Sequence, residues 1–286
     1  MPELAKHAAK IVITVLLGGL LGATLVRVAP GFGVDEEELD IRLTQQSVQS
    51  LRQAQSPDSN LAVFYFHYLG RLLRGDFGTS RTLQRPVSQL LAERFPETLK
   101  SVGLGLGLGW ALGLPLAILA VMARNWYLDL FASLLGGILL CIPAAVLALL
   151  FVIMQAPGRL VLGLIVFPKV FRYSRNLLAH SSSLPHVLTA RATGLGEVRL
   201  FVWHILPVSA PQLLALAGVS LSLAFAAAIP VEVLCDIPGI GQLAWKAALG
   251  RDLALLVNLT MIVTVITVMA NSASDLVGHA FRTSAA

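Results

Sequence analysis

Glu232 is the one acidic side chain set well inside an apolar run, two residues after Pro230. An ionised carboxylate in hydrocarbon costs roughly 2.5–3.5 kcal/mol on insertion scales, so a partner or water is expected beside it. Proton-coupled carriage would use several such acids facing one another. This chain offers one, near the outer end of a helix, and a structural or interfacial role is the expectation. Other chemistries fail on spacing. No G-x-x-x-x-G-K-[ST] loop is present to cradle phosphates, so the chain does not hydrolyse ATP alone. No G-x-S-x-G elbow and no H-E-x-x-H pair occur. His180, His186 and His204 lack metal-ligand spacing and read as solvated or satisfied side chains. Cys141 and Cys235 are isolated thiols in apolar surroundings, neither a metal site nor a disulfide framework. Gly103, Gly105, Gly107, Gly109 and Gly113 could be mistaken for a dinucleotide fingerprint, but no strand precedes them and no ribose-binding acid follows. On an apolar helix, glycines at such spacing make a smooth face for close packing.

The elements that must position these residues are membrane helices. The chain is 56% hydrophobic and 13% charged, whereas soluble proteins carry about 25% charged residues. Stretches of roughly 20 apolar residues can each cross a bilayer. Six are expected, at about Ile11–Ala29, Glu97–Met122, Tyr127–Met154 (interrupted at Cys141-Ile142-Pro143), Leu160–Asn176, Gln212–Val233 and Asp252–Val277. Pro115 is expected to kink the second. Lys169, inside the fourth, either marks the cytoplasmic boundary or lines a wet path. Lys6 and Lys10 precede the first run, but no A-x-A-like cleavage site follows, so it reads as a retained helix.

The fold class is therefore all-α, a polytopic membrane protein of about six transmembrane helices with an extracytoplasmic insert between helices 1 and 2. The expected divisions are 1–30 (N-terminus and first helix), 31–96 (insert) and 97–286 (transmembrane core) with a cytoplasmic loop at 177–211. The insert carries Asp35, Glu36, Glu37, Glu38 and Asp40, then Arg71, Arg74, Arg81, Arg85 and Arg94, and nothing in it can span. Residues 235–251 are expected to form a short loop. With both termini cytoplasmic, Lys6, Lys10, Arg124, Arg172, Arg175, Arg191, Arg199 and Arg282 fall inside. Arg159, Lys246 and Arg251 fall in the short outer pieces, which satisfies the positive-inside rule. The net charge of +5 is accounted for in this way. Nucleic acid is not an expected partner, because no basic stripe is interleaved with aromatics.

The informative segment is Ser181–Pro207, S-S-S-L-P-H-V-L-T-A-R-A-T-G-L-G-E-V-R-L-F-V-W-H-I-L-P. It reads as a short amphipathic helix, a break at Gly194, and a second short helix ending at Pro207. Placed between two membrane helices, such an element is a docking knob lying parallel to the bilayer. Its small residues Ala190, Ala192, Gly194 and Gly196 let a partner's surface come close.

T-A-R-A-T-G-L, followed by Leu206-Pro207, resembles the cytoplasmic loop of ABC importer permeases, most closely the dipeptide/oligopeptide branch. R-G-D-F-G-T-S (Arg74–Ser80), P-V-S-Q-L-L-A-E-R-F-P-E-T-L (Pro86–Leu99), V-E-V-L-C-D-I-P-G-I-G-Q-L (Val231–Leu243) and A-L-G-R-D (Ala248–Asp252) agree with that branch. The resemblance covers nearly the whole chain. Thr193 stands where the branch usually has Lys, Leu188 where the general motif has Glu, and Gly196 where Ser is usual. The loop between helices 3 and 4 is shorter than in that family, and so is the basic tail after Asp275-Leu276.

The resemblance implies a subunit of the bacterial inner membrane that forms half of a path for peptides or similar small solutes. Its implied partners are a second homologous permease, two ATPase subunits or domains, and an extracytoplasmic solute-binding protein. It implies no cofactor bound by this chain, with ATP and Mg held by the ATPase subunits. The implied ATPase-coupling residues are Thr189, Ala190, Arg191, Ala192, Gly194 and Leu195, with Leu206 and Pro207. Asp76, Gly78, Pro238, Gly239, Gly241, Arg251 and Asp252 would face the binding protein. The alternative, a secondary carrier or channel, would work without an ATPase partner.

Overall fold

The computed structural model describes residues 74–123, 126–250 and 252–284, together with 70–71 and helical positions 13, 14, 16–18, 20 and 24. Side chains are described for all of these except 128, 253 and 275–284. Most of the expected first span and residues 31–69 of the insert lie outside the described residues, as does Arg251. The chain forms two compact units, Met1–Ala92 with Lys246–Thr264, and Glu93–Trp245 with Val265–Ala286.

The described residues are helical throughout, apart from turns and one isolated antiparallel bridge, Thr79 to Pro86. Helix α1 is Val87–Met122, α2 Trp126–Cys141, α3 Ala144–Ile153, α4 Arg159–Ser182 and α5 Pro185–Ala192. A one-turn α6, Glu197–Leu200, runs through a π-helical turn at Phe201–Ile205 into α7, Leu206–Leu234. Helices α8, Ile240–Leu249, and α9, Leu253–Ser284, follow.

Several expected boundaries are corrected. Helix α1 starts ten residues before Glu97. Pro86 opens it, its carbonyl accepting the N–H groups of Gln89 and Leu90, and proline suits a position where no donor is required. Val87 and Leu90 are buried while Ser88 and Gln89 are exposed, so the first turns are amphipathic. Pro96 and Pro115 both lie inside the helix. The expected single span over Tyr127–Met154 is a bent pair, α2 and α3 meeting at 95° across Ile142-Pro143. Pro143 precedes α3 in an extended conformation, with ψ at 142°, which turns the chain far beyond a kink. The expected loop 235–251 holds α8. Pro207 does not end a helix either. The π turn just before it bonds Leu206 N–H to the Phe201 carbonyl, five residues back. That wider turn takes up a proline that lacks a donor and crowds the preceding turn.

Among the described residues, three helical stretches are long and apolar enough to cross a membrane: Val87–Met122, Glu197–Leu234 and Ala254–Ser274. The α2–α3 pair makes a fourth if it is counted as one span. Helix α4 is not among them, because Lys169, Arg172 and Arg175 interrupt its apolar run.

In the larger unit α4 is central, with α2, α3 and α7 packed on it. Apolar side chains gain little from burial against one another when the alternative is lipid, so close backbone approach and polar pairs matter more. Both are present. Cβ atoms built on Gly105, Gly109 and Gly113 would lie 2.5 Å from Leu162, 2.6 Å from Val166 and 3.0 Å from the Phe171 backbone. Successive turns of α1 thus press directly on α4, as the glycine spacing predicts. Gly103 and Gly107, on another face, meet nothing within 4 Å. Trp110 Nε1 donates to Ser220 Oγ at 3.0 Å, tying α1 to α7. Asn271 Nδ2 donates to Ser222 Oγ at 3.1 Å, tying α9 to α7.

Candidate coupling and docking surfaces

The T-A-R-A-T-G-L segment forms α5 and the turn after it. Pro185 opens α5. The Thr193 N–H closes on the Thr189 carbonyl, and Gly194 then takes φ of +82°, a left-handed conformation that costs a side-chain-bearing residue about 1 kcal/mol or more. An ion pair spans the break, Arg191 Nε to Glu197 Oε1 at 3.1 Å, with Nη2 donating to Oε2 at 3.2 Å. The element has two faces. Val187 and Leu200 are fully buried and join Phe167, Phe171, Leu178, Phe201 and Ile205 in one apolar cluster with the ends of α4 and α7. Thr189, Ala192, Thr193 and Gly194 are exposed, and Ala190, Arg191 and Leu195 half-buried. Leu206 is half-buried and Pro207 exposed on the first turn of α7. Beside the knob, Val198 and Trp203 are 71% and 72% exposed and line an open hollow with Gly196, Glu197, Arg199 and Val202. Ser209 Oγ donates to Ser181 Oγ at 2.8 Å and lies 3.0 Å from the Ile205 carbonyl, locking the base of the element.

The residues expected to face a binding protein fall into two groups, one in each unit. In the first, Asp76 Oδ1 accepts from Gly78 N–H at 2.9 Å in a tight turn. Asp76 is exposed and Gly78 half-buried. Asp252 is fully buried. Its Oδ2 accepts from Ser80 Oγ at 2.5 Å and Thr82 N–H at 3.2 Å, and its Oδ1 from Leu255 N–H at 3.1 Å. Asp252 therefore caps α9 and fastens the R-G-D-F-G-T-S turn to it. Asn258 Nδ2 donates to the Phe77 carbonyl at 2.9 Å and adds a second tie.

The second group centres on Glu232, fully buried at the end of α7. Its Oε2 accepts from Gly241 N–H at 2.7 Å, and its Oε1 is buried with no hydrogen-bond partner among the described residues. Thr98 Oγ1 accepts from Ile240 N–H at 2.7 Å. The first donors of α8 thus converge on one carboxylate and one hydroxyl, matching negative charge to the positive end of a helix. Cβ atoms on Gly239 and Gly241 would lie 2.2 and 2.8 Å from that carboxylate, so the glycines of P-G-I-G are needed for space. Pro238, between them and Cys235, is exposed. Sequence reasoning placed Glu232 in a structural or interfacial role but did not join it to Gly239 and Gly241. The signal lay in V-E-V-L-C-D-I-P-G-I-G, an acid seven and nine residues before two glycines. Beside this group Arg159 Nη2 meets Glu97 Oε2 at 2.6 Å, and Lys100 meets Glu97 Oε1 at 2.7 Å. Burial pushes the Cys235 thiol above its ordinary value; a Cβ on Gly158 would lie 2.5 Å from it, and it acts as a packing residue.

Long apolar helices packed through glycine are the architecture of an integral membrane protein. Residues 113–283 match the family described as binding-protein-dependent transport system inner membrane component, and the chain belongs to that family. It is a permease subunit of an ABC importer and a multi-pass inner-membrane protein. A candidate peptide permease of Brucella suis is 27% identical over 91% of this chain and 92% of its own. The oligopeptide transport system permease protein OppB of Escherichia coli is 26% identical over 84% of each. In fold, the chain is similar to inward-facing MetNI methionine ABC transporter, at a TM-score of 0.61 and 20% identity, over 68% of this chain and 97% of that one.

Proposed function

We propose that this chain forms half of an import path for short peptides or similar small solutes, paired with a second permease. Two ATPase subunits, which hold the ATP and Mg, would dock on the α5 knob through Thr189–Leu195. A solute-binding protein would meet Asp76, Gly78 and the turn before α9 in the first unit, and Pro238, Gly239 and Gly241 in the second. The chain itself catalyses nothing. Six spans with both termini cytoplasmic, and an extracytoplasmic insert ending before α1, complete the arrangement. The observation that carries this reading is the two-faced knob. Its outer face is free and small, and its inner face is fixed in the core joining α4 and α7, so a push on it reaches two helices as one body.

The test is co-purification with the candidate ATPase and partner permease, followed by ATPase assay. Ala192→Arg puts a bulky charge on the exposed face without backbone strain, whereas Gly194→Arg also strains the turn. Ala192→Arg is expected to keep wild-type thermal stability and release or uncouple the ATPase. A well-folded wild type that never holds an ATPase would overturn the proposal in favour of a carrier or channel.

A further inference from the structure

Lys169 and Arg172 lie one turn apart on α4, and among the described residues no acid pairs with either. Arg175, next to them, is already clasped by Asp129. At 3.6 residues per turn, positions 169, 172, 173, 176 and 180 share one side of the helix. They are Lys, Arg, Tyr, Asn and His, with Lys169 half-buried and the other four exposed. The exposed faces of the neighbouring helices are of another kind. Helix α1 shows Leu104, Leu112 and Leu119, and α2 shows Phe131, Leu134 and Ile138. Large apolar side chains suit lipid tails, and the free face of α4 does not.

The glycine contacts fix the depth of this face. Gly105 meets Leu162, Gly109 meets Val166 and Gly113 meets Val170, so α1 and α4 run side by side in the same direction and Lys169 is level with Leu112. On α1, Leu112 is twelve residues from Lys100, in the charged cluster with Glu97 and Arg159, and ten from the helix end at Met122. Those separations are roughly 18 and 15 Å, against a hydrocarbon core of about 30 Å. Lys169 therefore stands near mid-depth, beyond the reach of its own side chain to either interface. Of the two sequence readings of Lys169, this depth favours the wet path over the boundary. A basic side chain at that level is costly unless it faces water or a polar partner, and such residues mark solute pathways.

We propose that the free face of α4 lines the import path and that Lys169 and Arg172 receive the carboxylate of a passing solute. Charge complementarity selects that occupant, because the pair brings two basic groups and no acid of its own. The planar Arg172 fork matches carboxylate geometry, and Lys169 acts as a point charge one turn deeper. Asn176 adds an amide toward the knob. The solute class that follows is a peptide or small acid with a free carboxylate. The proposal rests on the reading of this chain as half of an import path, but not on the ATPase contact.

The test is cysteine labelling of the full chain, assembled with its candidate partner permease, in unsealed membranes and a Cys141→Ser/Cys235→Ser background. Two charged methanethiosulfonates are compared, sulfonatoethyl and trimethylammonioethyl, each rate divided by that with free mercaptoethanol. Asn176→Cys is expected to react about tenfold faster with the anionic reagent, the scale of two basic groups acting through screened water. Molar salt should shrink that ratio with both basic residues in place. Adding Lys169→Gln and Arg172→Gln should erase it, and adding Lys169→Arg should keep it. Lys169→Cys should itself react, and Leu112→Cys, at the same level on the apolar face of α1, should not. Millimolar N-acetyl-trialanine should slow labelling of Asn176→Cys about threefold, and N-acetyl-trialanine amide should leave it unchanged. An unreactive Lys169→Cys overturns the proposal, because the face is then packed dry against lipid or the second permease. So does a ratio that survives loss of both basic residues, or equal protection by the amide. Each of these can occur while the knob still holds an ATPase, and a missing ATPase would leave the labelling pattern standing.

Discussion

Glu232 shows how a costly side chain earns a place in an apolar helix. Its carboxylate supplies the acceptors that the first turn of α8 lacks, and Gly239 and Gly241 exist in the motif to admit it. Gly239→Ala should lower the apparent Tm in detergent by the equivalent of about 1–3 kcal/mol, the usual scale for overpacking. Glu232→Ala should cost about 0.5–2 kcal/mol through the lost cap. In the double variant the penalties should fall well short of their sum, because each single change removes the other's clash or partner. Strict additivity in a thermal-shift cycle would separate the two residues. Asp252→Ala should behave differently, losing about 1–3 kcal/mol with increased proteolytic cutting within Arg74–Thr82, since its carboxylate fastens that turn.

Among the elements, α1 offers the sharpest contrast. Gly109→Leu would drive a side chain into Val166, whereas Gly107→Leu would meet open space. The first should abolish a monodisperse peak in size-exclusion chromatography. The second should leave Tm within about 0.5 kcal/mol of wild type, as surface changes usually do. The glycine spacing made the packing face legible in the sequence. It could not say which glycines form it, because five small residues across an apolar helix leave the face open until α4 is placed. The helix–turn–helix element at 185–200 was legible for a different reason. Gly194 sits where a helix must stop, and Pro185 where one can start. The run through Pro207 was not legible, because proline after a polar stretch reads as a stop and a π turn leaves no composition signal. The helical start at Val87 was hidden for the same reason, because Pro96 lies inside the helix. The helix at Ile240–Leu249 was hidden because its start is capped from Glu232, on another helix.

For the whole molecule, the fold class followed from composition and apolar run length, and the family from short motifs spread along the chain. What resisted was counting. Lys169, Arg172 and Arg175 keep α4 from qualifying as a span on composition, although it stands at the centre of its unit. Orientation can be settled by labelling. In a Cys141→Ser/Cys235→Ser background, Pro157→Cys should react with a membrane-impermeant maleimide from outside intact cells. Thr193→Cys should react only in inverted vesicles. The reverse pattern would turn the chain over and remove the knob from reach of any cytoplasmic motor.

The 95° corner at Ile142-Pro143 bears on how the protein is made. Its arms, 16 and 10 residues long, reach roughly 24 and 15 Å, so neither alone crosses a core of about 30 Å. During synthesis, 126–153 emerges as one apolar stretch, before the helices that α3 packs on, α4 and α7, have left the ribosome. The corner is therefore a late event in biogenesis. Nascent chains arrested after Ile153 should hold this stretch as a straight span, and those arrested beyond Leu234 should hold it bent.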